Sequence, residues 1–392
     1  MIGVPWNTDR RQLVYNSAQP SERAGTVVGG EAAPLTLLAV LPAFNGGGAE
    51  RVLLNLVSRL SGRGRATSLL VFAGIGPLSD MVPRAIAIHA LETGSLRRSV
   101  LPMVKAIRAL KPRIVFSTFG YVNLALLALR PFLPRGTQIW VREANLPSIS
   151  LPNNRYHFLM RLGYLLAYRR ADHVICSSVR MRDELVRDFG VDQARIRILP
   201  NPVDENSIRR LANSVIRSAG KGVRFAAAGR LVRQKGFDRL LEMFAKLGVD
   251  DAQLSIVGDG PMLVGLQHLA STLGIAERVS FEGFTDNPWC HMAGADAFLL
   301  PSRWEGMPNA ALEALACGVP VIATPESGGI AEIAAETPPG AVTVVEAGQS
   351  FVEAMRRVVP GNGGHLRPSL LPPRFRMESV VDTFDQWLDE RA

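Results

Sequence analysis

Long hydrophobic runs are missing from this chain, and that absence sets the first limit on what it can be. The longest apolar stretches, such as Val122–Leu129 with Asn123 inside it, are short. They reach under half of the roughly 20 residues that a membrane-spanning helix needs, so none is expected. Residues 1–34 also lack the apolar centre of a signal peptide, because Asp9, Arg10 and Arg11 stand where it would lie. They read as a poorly ordered leader on a cytoplasmic protein. Cysteine is scarce. Cys176, Cys290 and Cys317 are far apart, form no CxxC pair and join no histidine cluster. Neither a disulfide framework nor a structural metal is expected, and the three read as small buried hydrophobes in a reducing compartment. A dinucleotide-binding GxGxxG with an acidic residue about 20 positions later is absent too, since the Gly46–Gly48 loop lacks that spacing. An oxidoreductase is thereby disfavoured. No zinc-finger, RNP or KH-type signature appears, and nucleic acid is not expected as a partner.

What is present is the composition of a folded protein, 47% hydrophobic and 20% charged, over 392 residues. That length suits two domains rather than one core. The net charge of +9 is unevenly shared. Residues 1–200 carry 26 Lys and Arg against 12 Asp and Glu, a balance of +14, and all but two of these cations are Arg. Residues 201–392 carry 18 against 23, a balance of −5. A basic half suits phosphates on an anionic membrane surface, with a merely solvated basic surface as the plainer reading.

From Leu35 onward, short apolar runs alternate with amphipathic segments, which predicts parallel sheets covered by helices. Strands are expected over Leu35–Leu41, Ser68–Phe72, Ile114–Ser117, Gln138–Arg142, His173–Ser177 and Ile196–Leu199. Leu199-Pro200-Asn201-Pro202 then breaks either kind of element. A second alternation follows, with strands at Arg224–Ala228, Gln253–Val257, Val279–Glu282, Ala297–Leu300 and Pro320–Ala323. Helices are expected over Phe237–Leu247, Met262–Leu273, Asn309–Cys317 and Met377–Arg391. The fold class is therefore α/β, with two doubly wound halves. The domains read as 35–201 and 202–372, followed by a helix over 373–392.

In the second half the chemistry falls at the carboxyl ends of strands, where open α/β sheets bind ligands. Gly229-Arg230 follows one strand and Lys235-Gly236 precedes the next helix. Two cations beside a helix N-terminus suit a diphosphate. Gly258-Asp259-Gly260-Pro261 is a tight turn that admits close backbone approach. After Ala297–Leu300 comes Pro301-Ser302-Arg303-Trp304-Glu305-Gly306-Met307-Pro308-Asn309-Ala310-Ala311-Leu312-Glu313. Glu305 lies in a loop, and Glu313 lies in an otherwise small and apolar helix. A carboxylate there faces solvent or a polar ligand.

That segment resembles the Glu-x7-Glu motif of retaining GT-B glycosyltransferases, in particular glycosyltransferase family four. Other pieces follow that family's order. They are Asn45-Gly46-Gly47-Gly48-Ala49-Glu50-Arg51, the Leu199–Asp204 stretch, Gly229-Arg230-Leu231 with Lys235-Gly236, Val257–Pro261, and Phe281 to Phe284. The resemblance implies two Rossmann-like domains facing a cleft, with the last helix crossing back to the first. It implies transfer of a hexosyl or N-acetylhexosaminyl unit from a nucleoside diphosphate sugar, with retention of configuration. Arg230 and Lys235 are implied to neutralise the diphosphate, Glu313 to take the ribose hydroxyls and Glu305 those of the sugar. Met307, Pro308, Asn309 and Ala310, with Gly306, would line the sugar and phosphates. Gly229 and Gly258 would border the donor, Phe284 the base, and Gly47 and Gly48 would bring the first domain close. No Asp-x-Asp follows any strand, so no metal is expected and no cofactor beyond the sugar nucleotide.

A histidine that many members carry after the strand equivalent to Ile114–Ser117 is replaced here by Thr118-Phe119-Gly120. Together with Asn123 and Arg142-Glu143-Ala144-Asn145, this resembles a subgroup that extends lipid-linked glycans. The acceptor-side candidates are Ser117, Asn123, Arg142, Glu143 and Asn145. The implied acceptor is a polyprenyl-diphosphate-linked glycan in lipopolysaccharide or capsule assembly, reached from the inner face of the membrane. Arg155, Arg161, Arg169 and Arg170, set among Tyr156, Phe158, Leu159, Leu162, Tyr164, Leu165 and Leu166, suit a helix at a membrane interface. The competing reading is a non-catalytic protein that binds sugar nucleotides or a membrane surface.

Overall fold

The structure, a computed structural model, describes residues 34–45, 48–152, 156–213, 222–249, 251–361 and 366–390. The expected leader therefore lies outside the described residues except for Pro34, as do Gly46, Gly47 and Arg155.

The first half alternates β1 (Leu37–Leu41), α1 (Gly48–Gly62), β2 (Thr67–Val71), β3 (Ala87–Ala90), α2 (Leu96–Leu110), β4 (Ile114–Ser117) and α3 (Gly120–Leu129). It continues with β5 (Gln138–Arg142), α4 (Pro147–Ser150), α5 (His157–Ala167), β6 (His173–Cys176), α6 (Val179–Phe189) and β7 (Ile196–Ile198). All seven described strands run parallel in the order β3-β2-β1-β4-β5-β6-β7. After α7 (Glu205–Ala212) the second half runs β8 (Arg224–Ala228), α8 (Phe237–Ala245), β9 (Gln253–Val257), α9 (Leu263–Thr272), β10 (Val279–Gly283), α10 (Trp289–Gly294) and β11 (Ala297–Leu300). Then come α11 (Asn309–Ala316), β12 (Val321–Ala323), α12 (Ile330–Glu336), β13 (Val342–Val344), α13 (Gln349–Arg356) and α14 (Met377–Asp389). Its six described strands order as β10-β9-β8-β11-β12-β13. Strand order reverses between β1 and β4 in one sheet and between β8 and β11 in the other. Loops diverge at such a switch point and leave a crevice.

Two edge strands escape the sequence pattern. Residues of β3 are exposed at its two ends and half-buried between them, and β13 is three half-buried residues long. Neither has the continuous apolar run that marks the buried strands β1 and β2.

The chain passes between the halves twice. At the crossing, Val203 pairs with Arg376 and is held by Val203 N–H to the Phe375 carbonyl at 2.9 Å. Met377 N–H returns to the Val203 carbonyl at 2.8 Å. α14 then lies on α1 in the first half, burying Met377, Val380, Val381, Phe384 and Leu388 in that core. Phe384 sits 5.3 Å from the Phe116 ring and 5.7 Å from that of Trp140. Truncating such a buried ring costs about 3–5 kcal/mol. Arg63 and Arg65 on the first half meet Glu378, Asp382, Asp385 and Asp389 along its other side. Among the described residues no helix is long and apolar enough to cross a membrane.

Candidate functional site

The loop after β8 and the loop after β11 meet at the second sheet's switch point. Gly236 closes the first loop with φ of +69°, and a Cβ there would strike the Pro301 carbonyl. Only glycine lets these two loops touch. Arg239, on α8, donates from Nε to the Pro301 carbonyl and from Nη2 to the Ser302 carbonyl, both at 2.7 Å. Thr324 donates to the Ser302 carbonyl at 2.9 Å. The loop that carries Glu305 is thus pinned from two sides.

Glu305 is 6% exposed, and each oxygen of its carboxylate has a partner. Lys235 Nζ lies 2.5 Å from Oε1, Ser302 Oγ donates to the same oxygen at 2.8 Å, and Gln234 Nε2 reaches Oε2 at 3.5 Å. Ser302 stands three residues before Glu305 in the same loop, and Gln234 just before Lys235. Both were within reach of the sequence pattern as polar neighbours of charged residues. Arg230 is exposed. It lines a pocket of about 450 Å³ with Gln234, Trp304 and Glu305, whose opposite wall is Asn145, Leu146, Ile149 and Ser150 of the first half.

Glu313 sits in α11, half-buried. Burial raises its carboxyl above the ordinary range, and the Trp289 indole N–H with the charges of Arg51 and Lys235 work against that rise. Trp289 Nε1 donates to Oε2 at 3.1 Å. Arg51 belongs to α1, so a cation of the first half faces a carboxylate of the second. Neither Trp289 nor Arg51 carries a sequence signal for this role, because each reaches Glu313 only through the fold.

The first half approaches closely. A Cβ on Gly306 would strike the Ala144 carbonyl, and one on Gly48 would come 3.6 Å from Asn309 Nδ2. Asn201, in the crossing segment, donates to Asn309 Oδ1 at 2.5 Å and accepts from Arg142 Nη2. Met307 and Pro308 are buried beside this contact, with Ala310 half-buried in the first turn of α11. Gly229 and Gly258 adjoin through backbone, since a Cβ on Gly258 would strike the Gly229 carbonyl. Phe284 stands at the edge of the sheet, 74% exposed, joined to the rest through the Gly258–Gly283 bridge.

The acceptor-side candidates separate. Asn145 lines the cleft, but Ser117, Asn123, Arg142 and Glu143 are buried beneath it. Asn123 Nδ2 donates to the Arg142 carbonyl at 3.1 Å and to Glu143 Oε1 at 3.2 Å. Tyr164 donates to Glu143 Oε2 at 3.1 Å, and the Tyr168 hydroxyl bonds Oε1. Burial pushes Glu143 up to about 7 against the Tyr168, Tyr164 and Asn123 hydrogen bonds and the Arg142 charge. It lowers Arg142 to about 10. Ser117 Oγ has no hydrogen-bond partner among the described residues.

This burial corrects one expectation about α5. Tyr164 turns inward with Tyr168, their rings stacked at 4.2 Å, and neither can enter a headgroup layer. The outward face carries Tyr156, Phe158, Leu159, Leu162 and Leu166, each 43–76% exposed, with Arg161, Arg169 and Arg170 also exposed.

Comparison with known proteins gives the same picture from another side. The profile described as "Glycosyltransferase Family 4" matches residues 46–207, and that described as "Glycosyl transferases group 1" matches residues 211–367. The chain is 27% identical over 326 residues to the Campylobacter jejuni N-acetylgalactosamine-N,N'-diacetylbacillosaminyl-diphospho-undecaprenol 4-alpha-N-acetylgalactosaminyltransferase, covering 80% of this chain and 87% of that one. It is 27% identical over 355 residues to the lipopolysaccharide core biosynthesis glycosyltransferase LpsE of Rhizobium meliloti, covering 87% and 96%. In fold it matches Anabaena HepE in complex with UDP and glucose, with a TM-score of 0.73, 18% identity, and coverage of 90% of this chain and 99% of that one. The two profiles follow one another along the chain and together span most of it, one half each. With two parallel-sheet domains closing on a shared cleft, the chain belongs to the family 4, group 1 glycosyltransferases of the GT-B fold.

Proposed function

We propose that this glycosyltransferase takes a hexosyl or N-acetylhexosaminyl unit from a nucleoside diphosphate sugar. It places the unit on a hydroxyl of a lipid-linked glycan, retaining the anomeric configuration and using no divalent metal. The observation that carries this reading is the cleft pocket, with Arg230 and Glu305, the carboxylate that Lys235 touches, on one wall and Asn145 on the other. In the reaction the bond from the anomeric carbon to the diphosphate oxygen breaks, and a bond to the acceptor oxygen forms. The acceptor proton leaves with the nucleoside diphosphate. The obstacle is negative charge growing on the leaving diphosphate. Arg230, in the pocket wall, and Lys235, held against Glu305 beside it, stabilise that charge without a metal. Glu305, touching Lys235, holds the sugar hydroxyls beside the phosphate site, and Glu313 takes the ribose. Closing the two halves excludes water and suppresses hydrolysis of the donor.

The acceptor reading draws on the relatives' names, one of which specifies a diphospho-undecaprenol acceptor and another lipopolysaccharide core assembly. The exposed apolar face of α5 among arginines suits an anionic membrane surface at the cytoplasmic face. UDP-, GDP- and ADP-sugars are to be screened by thermal shift, and the best binder used for transfer in excess EDTA. Transfer that collapses in EDTA and returns with magnesium or manganese would overturn the metal-free part. Sedimentation with anionic liposomes at low salt, released by high salt, tests the surface. Failure to sediment would favour a soluble acceptor.

A further inference from the structure

Glu313 has an unusual setting for a carboxylate meant to meet solvent-borne hydroxyls. It is half-buried within a helix whose other residues, after Asn309, are all Ala and Leu. Such a side chain needs support, because an unsupported carboxylate loses rotamer definition and favours its neutral form. The support comes from Trp289, the first residue of α10. Its ring packs on the apolar cluster that contains Ala311, Leu312 and Leu315 of α11, and its Nε1–H lies 3.1 Å from Glu313 Oε2. Indole N–H is a donor only, so this contact leaves no ambiguity about direction. Oε1 has no hydrogen bond among the described residues and is not sealed from solvent. One oxygen is thus held and the other presented.

We propose that Trp289 is the positioning residue for Glu313. By gripping Oε2 it turns Oε1 towards the cleft and so sets the preference for a ribose over a 2′-deoxyribose donor. The inference rests on the reading of Glu313 as the ribose ligand. A carboxylate fixed in one rotamer accepts the cis-diol hydroxyls without ordering itself first, and that advantage applies only to a sugar that has both. The same N–H favours the charged carboxylate, against the burial that raises its pKa.

The test is calorimetric titration of UDP, GDP and ADP, each beside its 2′-deoxy counterpart, into wild type, Trp289→Phe and Glu313→Ala. Trp289→Phe keeps most of the ring packing and removes the donor. If its fold suffers, β-(3-benzothienyl)alanine at 289 keeps the bicyclic shape and replaces N–H by sulfur. The expected result is a ribose preference that falls about 10-fold or more, as for loss of a hydrogen bond to a charged group, with 2′-deoxy affinity nearly unchanged. In transfer assays KM for the donor rises more than kcat falls. The acid limb of nucleotide affinity moves to higher pH, because the carboxylate loses a donor that favours its charge. Equal loss of ribo and 2′-deoxy affinity marks Trp289 as packing alone and overturns the proposal. So does a wild-type ratio in Trp289→Phe beside a lost ratio in Glu313→Ala. A ratio that survives Glu313→Ala instead overturns the ribose reading of Glu313 itself, and the positioning role falls with it.

Discussion

Both sheets bring charged residues to the carboxyl ends of their strands, yet the two ends have opposite characters. In the second half Arg230 is exposed and lines an open pocket with Glu305, the carboxylate that Lys235 touches. In the first half Arg142 and Glu143 are 2% and 4% exposed, roofed by Tyr164 and Tyr168. The topology is the same and the covering differs. α5 lies over the first sheet's polar residues, whereas loops pinned by Arg239 hold the second sheet's residues at the cleft wall. Charge at a strand end therefore points to a ligand only where nothing else satisfies it. Where tyrosines and asparagine already do, the same residue types build the wall.

The largest effect expected from this contrast is on activity. Lys235→Ala removes a cation from the place where charge develops and lowers kcat about 100- to 1,000-fold, as for loss of one preorganised stabilising group. Because Lys235 and Glu305 touch, the double variant Lys235→Ala/Glu305→Ala loses less than the two single losses combined. Steady-state kinetics check both statements, and additive losses would show two independent sites.

Arg142→Ala shows the reverse profile. It strips Thr118 and Asn201 of a buried charged donor and costs about 3 kcal/mol of stability, read from urea unfolding. Arg230→Ala, on the exposed side of the comparison, leaves that midpoint alone. If Arg142→Ala melts like wild type and only transfer suffers, the first half's cluster is a site after all.

Glu143→Gln sharpens the point through pH. The folded carboxyl titrates at about 7 rather than 4.5, so across that window the native state holds a proton that the unfolded chain releases. Wild-type stability falls as pH rises through it, by at most about 1.4 kcal/mol per pH unit from this one group. Glutamine carries no such proton, so Glu143→Gln gains on wild type from pH 4.5 to 7 and then holds its lead. Parallel stability curves would mean that burial does not raise the Glu143 carboxyl.

The smallest effect concerns closure. Glu332 of the second half accepts the backbone N–H groups of Val179, at 2.8 Å, and Arg180, at 3.3 Å, capping α6 across the gap between the halves. Glu332→Ala costs about 1 kcal/mol, as other lost helix caps do, and widens the distance distribution between spin labels placed on the two halves. An unchanged distribution would show that the crossing segments alone fix the halves.

Much of this was legible without coordinates. Arg230, Lys235 and Glu305 fall in the loops that follow short apolar strands, and the structure brings Lys235 against Glu305 as their places at neighbouring strand ends require. The expected spans Ile114–Ser117, Gln138–Arg142, Arg224–Ala228, Gln253–Val257 and Ala297–Leu300 match the observed strands. These are buried strands, and continuous apolarity marks them well. The edge strands β3 and β13 are half-solvated, so their residues look like loop.

The sequence by itself determined the alternation, the break at Pro200 and Pro202, the basic first half and the charged residues at strand ends. Each is a property of one element and its own periodicity. Tertiary structure alone decided which of those charges stay open. Tyr164 faces Glu143 from 21 residues away, Trp289 reaches Glu313 across 24, and Glu332 caps Val179 across 153. Burial depends on what lies over a residue, and here the cover comes from elements the chain reaches only by folding.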